Sequence, residues 1–243
     1  MWIYGKNPVI ELLNSEEIVD TIFILRSPEK NPIIGKIKAL ARDKGVPVKE
    51  ASKEKLDKFS EGGVHQGVVA FCAAASYSEF SDIEKLAEDR NEKPFIIICD
   101  EIEDPHNLGA IIRTAECAGA HGVIVPRRHS ASLSASAVKA SAGAVSYLPV
   151  VRVANIASFI DEIKKKNYWV YGADMGGTDY TQVNFSGSCA LVIGSEGNGI
   201  SKLVKSKCDV IAGIPMFGKI NSLNASVSAA LLIYEVVRQR GKF

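Results

Sequence analysis

The sequence predicts an α/β protein in two parts: a small α/β domain over residues 1–75 and a larger domain over residues 93–243 built on a mostly parallel sheet. Three observations lead there. Short apolar runs alternate with segments of helical periodicity, the pattern of βα units. In the C-terminal half, three such runs pass through Gly/Asn/Ser-rich turns towards helical patterns: DEIEDPHNLGAIIRTAECAG (Asp100–Gly119), LVIGSEGNGIS (Leu191–Ser201) and IPMFGKINSLNASVSAALLIYE (Ile214–Glu235). Between the halves, YSEFSDIEKLAEDRNEKP (Tyr77–Pro94) is polar and charged, which marks residues 76–92 as a linker.

In the first part, Trp2–Tyr4 is a short strand. Asn7-Pro8 starts a helix, with Asn as N-cap and Pro at the first helical position. Ile18–Leu25 reads as a strand, Ile33–Arg42 as an amphipathic helix and Val46–Val48 as a short strand. A charged helix covers Lys53–Phe59, and Val68–Phe71 closes the domain as an apolar strand after the Gly62-Gly63 turn.

In the second part, the continuous apolar run Pro94–Cys99 is a buried strand. Asn107–Gly119 is a helix ending at glycine, Gly122–Val125 a strand, and Ser132–Ser146 a helix of Ala, Ser and Gly small enough to approach another backbone closely. Val150–Val153, Tyr168–Gly172, Leu191–Ile193 and Val210–Ile214 are strands, and Ile156–Lys166 is a helix. Asn224–Arg240 is a long terminal helix, with Val227, Leu231, Tyr234 and Val237 at helical spacing as its apolar face.

Composition narrows the class. With 243 residues, 47% apolar and 23% charged, the chain has the make-up of a globular protein. The start, MWIYGKNPVIELLNSEE, lacks a secretory pattern and no run approaches the roughly 20 apolar residues of a membrane helix, so a cytoplasmic protein with no membrane partner is expected. The five cysteines (Cys72, Cys99, Cys117, Cys189, Cys208) are scattered, without a C-x-x-C pair. That supports neither a disulfide framework nor a metal site, and most of them read as reduced core thiols. A net charge of +1 is not the footprint of a nucleic-acid binder. The basic clusters at Arg127–Arg128, Lys164–Lys166 and Arg238–Lys242 each read equally well as solvated surface or helix ends.

Strand-to-helix junctions expose backbone N–H groups to ligands. Gly194, Gly197 and Gly199 permit close backbone approach, or simply make turns. Ile214-Pro215-Met216 offers an apolar wall with free carbonyls, and Ser222-Leu223-Asn224 enters a helix. Asn107 caps its helix, Arg113 lies two turns in, and Glu116 is one turn further on, placed to orient the guanidinium or to form a surface salt bridge. Glu196 is a carboxylate near the pocket mouth, or a turn residue. Gly194-x-x-Gly197-x-Gly199 is not the dinucleotide fingerprint G-x-G-x-x-G, and G-S-E-G is not a hydrolase elbow.

Together, in this order and spacing, the three stretches resemble the signature motifs of the SpoU (TrmH-type) RNA ribose 2′-O-methyltransferases of the SPOUT superfamily, nearest to the bacterial 23S ribosomal RNA guanosine enzymes. GGVHQGVVA (Gly62–Ala70) resembles the end of the substrate-binding domain that precedes the catalytic domain there, a domain like the L30e/L7Ae RNA-binding fold. The resemblance implies a trefoil knot in the last third, S-adenosylmethionine as cofactor, RNA (ribosomal foremost) as partner, no metal, and a homodimer with the last helix at its interface. It assigns Arg113 the key catalytic role, with Asn107, Glu196, Ser222 and Asn224 shaping the reacting site. Gly194, Ile214 and Leu223 would contact the cofactor, with Gly172, Met216 and Gly197 beside them. In-line methyl transfer needs those parts: a pocket, an aligned 2′-oxygen, and help for a hydroxyl losing its proton. A transfer RNA target and a non-catalytic RNA-binding assembly factor remain alternatives. His65 is left open between RNA contact and a local hydrogen bond.

Overall fold

A computed structural model describes residues 2–15, 19–26, 31–72 and 75–241. It divides into two compact units, Met1–Ser76 and Tyr77–Phe243.

The first unit has strands β1 (Trp2–Tyr4), β2 (Val19–Leu25), β3 (Val48–Ala51) and β4 (Val68–Cys72), in sheet order β1-β4-β2-β3. Helices α1 (Lys6–Asn14), α2 (Pro32–Asp43) and α3 (Lys53–Phe59) accompany them. Val9, Leu13, Ile22, Ile37 and Ala70 are fully or almost fully buried in one core cluster. Trp2 stacks on Phe59 at 4.1 Å between ring centroids, with Phe23 and Phe71 around it. Two expectations shift. Helix α1 starts two residues early with Gly5, at φ 99°, as N-cap rather than Asn7. The third strand occupies Val48–Ala51 rather than Val46–Val48, because Val46 and Pro47 serve as the approach: the Pro47 carbonyl accepts from Ile22 N at 3.0 Å. Ile18 lies outside the described residues.

The second unit begins with helix α4 (Phe80–Asp89), where a linker was expected. The Asp82 carboxylate accepts from Glu79 N at 2.9 Å, closing the first turn. Ile83 and Ala87 are buried, and Phe80 meets Phe159 edge-on at 5.2 Å. Only this narrow apolar stripe faces the core; the remaining face is charged, which is why the segment reads as a linker by composition.

Strands β5 (Phe95–Cys99), β6 (Gly122–Pro126), β7 (Val150–Val153), β8 (Trp169–Asp179), β9 (Cys189–Ile193) and β10 (Val210–Gly213) form a sheet of order β10-β8-β9-β5-β6-β7. Every pairing in it is parallel. Helices α5 (Pro105–Cys117), α6 (Ala135–Ala140), α7 (Ile156–Lys164), α8 (Lys202–Lys207) and α9 (Ala225–Gln239) complete the unit. β5 and β9 are buried at all their residues, as continuous apolar runs in a covered parallel sheet should be. Among the described residues no helix is long and apolar enough to cross a membrane.

The expected Ser132–Ser146 helix is α6, a turn through Gly143 at φ 89°, and a 3₁₀ turn at Ala144–Ser146. Its small residues do serve close approach: a Cβ on Gly109 of α5 would lie 2.5 Å from both the Ala137 carbonyl oxygen and the Ala140 Cβ of α6. Of the four residues expected to form the apolar face of α9, Val237 alone is buried, and the helix packs mainly through another face. Ala229, Leu232, Ile233 and Val236 go inward, while Val227, Leu231 and Tyr234 are 47%, 39% and 41% exposed. The cysteines are free, with Cys99 and Cys189 buried and their thiols pushed up to about 12 by desolvation.

Candidate active site

All strands of the second sheet run the same way, so the loops after β5, β6, β8, β9 and β10 emerge at one edge. The loop after β9 is shaped by its own backbone. Ser195 N donates to the Gly199 carbonyl at 3.1 Å, and Gly199 N donates back to Ser195 at 2.9 Å. This tight closure leaves no room at Gly194, where a Cβ would lie 2.1 Å from the Gly199 carbonyl carbon and 2.3 Å from Ile200 N. Gly197, at the tip, would meet nothing within 4 Å. Buried Asp100, at the end of β5, locks the arrangement by accepting from Ser201 N at 2.7 Å while its own N–H donates to the Ile193 carbonyl at 2.8 Å.

Two adjoining cavities flank this loop. The first, about 300 Å³, is lined by Ala173–Met175, Ile193–Gly199, Ala212, Ile214, Met216, Asn221–Leu223, Ala225 and Ser228. It falls within the roughly 300–1,000 Å³ of small-molecule sites. Gly194, Gly197, Ile214, Met216, Ser222 and Leu223, all expected at a binding site, lie on its wall. Gly172 does not. A Cβ there would meet Cys208 Sγ at 2.9 Å and Ile200 Cδ1 at 3.0 Å, so it serves packing. β8 continues to Asp179, past the expected strand end, so Ala173, Asp174 and Met175 form the wall instead. The second cavity, about 450 Å³, is lined by Glu101–Asp104, Asn107, His129, Ser195–Asn198 and Ala225.

At their shared edge, one residue from each sequence motif converges. Asn107 Nδ2 donates to Glu196 Oε1 at 3.0 Å, Asn224 Nδ2 donates to Asn107 Oδ1 at 3.0 Å, and Asn224 Nδ2 also reaches Glu196 Oε1. The other end of the Asn224 amide caps α9, its Oδ1 accepting from Ser226 N at 2.9 Å and Val227 N at 3.3 Å. Glu196 therefore sits between the N-termini of α5 and α9, where a negative charge is stabilised.

Asn107 is not the cap of its helix. Asp104 is, accepting from His106 N at 2.9 Å, and Asn107 lies a turn in with its side chain turned inward and buried. Asp104 comes immediately before Pro105, the cap-and-proline signal that reads the start three residues earlier. Arg113 is exposed on α5 and lines neither cavity. From Asn107 it is six residues along, about 9 Å of helix rise. Glu116 does not pair with it: among the described residues the Arg113 side chain forms no ion pair. Of the other sequence candidates, His65 makes local bonds, its Nε2 at 3.0 Å from Asp57 Oδ1 and its Nδ1 accepting from Gly67 N at 3.0 Å. Lys164 and Lys166 pair with Asp209 and Glu84, and Arg238 with Glu235. Lys242 lies outside the described residues.

Sequence reasoning missed Asp100, Asp174, Asn198 and Asn221. Asp100 follows directly on an apolar run, and a polar residue placed there was its signal; Asp174 stands beyond the expected end of its strand and the others in turns, where polar residues are common. Among the described residues no group of three or more His, Cys, Asp or Glu side chains is placed to hold a metal.

Comparison with known proteins matches this architecture. Residues 94–234 match the SpoU rRNA Methylase family, and residues 2–78 match the RNA 2′-O ribose methyltransferase substrate binding domain. A Bacillus subtilis (strain 168) protein named as a TrmH family tRNA/rRNA methyltransferase, YacO, is 45% identical over 98% of this chain and 96% of its own length. A Staphylococcus haemolyticus (strain JCSC1435) relative of the same family name is 43% identical over 98% of this chain and 95% of its own. Among solved structures, the SpoU methyltransferase AviRb from Streptomyces viridochromogenes, in complex with AdoMet, superposes with a TM-score of 0.63 at 26% identity, covering 100% of this chain and 91% of that one. An AdoMet-bound rRNA methyltransferase from Sinorhizobium meliloti gives 0.59 at 26% identity, over 98% and 86%. The motifs, the parallel sheet and these likenesses agree: the chain belongs to the SpoU/TrmH family of RNA methyltransferases, with an N-terminal substrate-binding domain.

Proposed function

We propose that the chain transfers a methyl group from S-adenosylmethionine to a ribose 2′-hydroxyl of RNA, with a guanosine of 23S ribosomal RNA as acceptor, in the cytoplasm and as a homodimer. The observation that carries this reading is the convergence of Asn107, Glu196 and Asn224 on the edge between two cavities. Methyl transfer joins two reactants in line, and two adjoining spaces with a fixed polar edge are what that demands.

The first cavity suits the donor. Ile193, Ile214, Met216 and Leu223 supply apolar surface for a flat heterocycle, and Asp174, Asn198, Asn221 and Ser228 supply polar groups for ribose and amino-acid ends. S-adenosylmethionine, when bound, supplies an electrophilic methyl group on a sulfonium. The protein's part is positional. Gly194 keeps the loop close and Leu223 presents backbone at the entry to α9. The Asn107–Glu196–Asn224 triangle holds three loops in one arrangement. Arg113, on the solvent side of α5, is assigned to an RNA phosphate and to orienting the 2′-hydroxyl. It does so as a cation, since guanidinium remains protonated.

The exposed Val227–Leu231–Tyr234 stripe supports dimerisation through α9. Leu231→Glu should give a monomer by light scattering, and an unchanged dimer would remove that part of the reading. The trefoil knot of the last third belongs to the same reading.

The test combines calorimetric titration with S-adenosylmethionine and methyl incorporation into total RNA from a strain lacking the gene, followed by mapping of 2′-O-methyl sites. Incorporation into a 23S guanosine is expected. Incorporation into transfer RNA would redirect the substrate, and cofactor binding without incorporation into any RNA would favour an assembly factor of the same fold.

A further inference from the structure

Two carboxylates decide the electrostatic character of the cavity assigned to the methyl donor. Among the described residues on its wall, Asp174 and Glu196 are the charged ones, and no Lys, Arg or His joins them. Glu196 stands at the edge shared with the second cavity, held by the Asn107 and Asn224 amides. Asp174 belongs to β8, outside all three sequence motifs. Its side chain is 19% exposed and fixed from two sides: Oδ1 accepts from Met175 N at 2.7 Å, and Oδ2 meets Lys205 Nζ at 2.6 Å. The carboxylate faces the loop after β9, since a Cβ on Gly199 would lie 3.9 Å from each of its oxygens. Lys205 comes from α8 and is not among the lining residues. It orients the carboxylate without placing its own charge on the wall.

Methyl transfer changes the charge that such a wall meets. The C–S bond breaks with its electron pair left on sulfur, the carbon bonds to the ribose oxygen, and the hydroxyl proton is released. A sulfonium cation thereby becomes a neutral thioether, S-adenosylhomocysteine, while the adenine, ribose, ammonium and carboxylate groups stay the same. Contacts to those shared parts, the N-terminus of α9 included, stabilise donor and product alike. Apart from the methyl group itself, the charge at sulfur is what separates them, and specificity is a difference of affinities. A carboxylate on a wall partly shielded from water favours a nearby cation more than the same charge in open water would. Resting on the donor assignment of this cavity, we propose that Asp174 biases it toward the cationic donor and against the uncharged product, so that methyl transfer itself weakens the hold on what must leave.

The experiment is calorimetric titration of the full chain, without RNA, with three probes: S-adenosylmethionine, S-adenosylhomocysteine and sinefungin, whose ammonium carries a positive charge where the donor carries its methyl group. The quantity read is the ratio of affinities, which a loss of folding or of shape alone would not move. Asp174→Asn should weaken S-adenosylmethionine and sinefungin by roughly five- to tenfold, the scale of one partly screened charge, while S-adenosylhomocysteine changes less than about twofold. Lys205→Gln, which keeps a donor but removes the countercharge, should shift the ratio the other way by roughly two- to threefold. This second variant, on an exposed side chain of α8, keeps the proposal open to refutation if Asp174→Asn does not fold. An unchanged ratio in the folded variants, whether all affinities fall together or none does, would overturn the proposal. So would a loss for S-adenosylmethionine that sinefungin does not share, which would assign the effect to the fit of the methyl group. A wild type that binds none of the three probes would instead remove the donor assignment of the cavity.

Discussion

Replacing Gly194 by Ala tests whether the loop after β9 is the wall of the donor site. The added methyl would lie 2.1–2.3 Å from backbone atoms of Gly199 and Ile200, which have no flexible side chain to move aside. To reach ordinary contact near 3.5–4 Å, the two arms of the loop must part by more than 1 Å. That breaks the paired backbone bonds between Ser195 and Gly199, at about 1 kcal/mol each. Overpacking elsewhere in the loop adds roughly 1–3 kcal/mol. A total of about 3–5 kcal/mol corresponds to a fall in Tm of roughly 6–20 °C for a domain of this size. Gly197→Ala is the matched control: nothing lies within 4 Å of its added methyl and its φ is not positive, so a change within about 0.5 kcal/mol is expected. Scanning calorimetry gives the Tm values, for which Gly197→Ala is the control, and isothermal titration gives the S-adenosylmethionine affinity, expected to fall more than about 100-fold for Gly194→Ala. If Gly194→Ala binds the cofactor as the wild type does, or if the two variants have the same Tm, the wall has been placed wrongly.

Three other expectations follow from the same geometry. Asn224→Ala should cost about 1–2 kcal/mol through the lost cap of α9 and lower methylation; Asn224→Asp should keep the cap yet lose methylation, because a carboxylate would face Glu196, and equal thermal stability of the two variants would contradict this. Arg113→Ala should leave Tm and cofactor affinity unchanged, since the side chain is exposed and makes no ion pair, while methylation falls roughly 10²–10⁴-fold and Arg113→Lys recovers little; near wild-type turnover would sink its assignment. Glu235 is held below the usual carboxylate range, first by hydrogen bonding from Arg238, against opposing desolvation, and further by Gln239. A depressed folded-state pKa gives stability that is present above the unfolded value near 4.5 and lost as pH falls through the folded one. Glu235→Gln should therefore flatten the acid limb of the stability profile below about pH 4.5, and an unchanged limb would exclude this contribution.

Local pattern carried much of the fold. Lys53–Phe59 and Val150–Val153 have the bounds read from sequence, because a charged helix with an N-cap serine and a short β-branched run are both determined by neighbours in the chain. The N-cap Asn224 was legible for the same reason. The failures share a cause. Helix α4 was hidden because three apolar residues suffice when they meet a large existing core. The outward stripe of α9 is as apolar as the inward one, and periodicity alone cannot say which of two apolar faces the sheet will take. Ser132–Ser146 was joined into one helix because its glycine and serines resemble a close-packed helix until the left-handed turn at Gly143 is seen.

The site shows the same limit more sharply. Asn107 and Glu196 stand 89 residues apart, and no property of either predicts that they touch. Their meeting depends on β5 and β9 lying side by side, with Cys99 paired to Ile193, so that parallel strands release both loops at one level. Asp100 then joins those loops through its bonds to Ile193 and Ser201, and α9 lies against α5 so that its N-cap reaches both. Any one motif is a turn leading to a helix, with an ordinary structural explanation. Their shared function follows from a strand order that places the ends of separate βα units together, and a polar triangle drawn from three such ends has no use to any one of them alone.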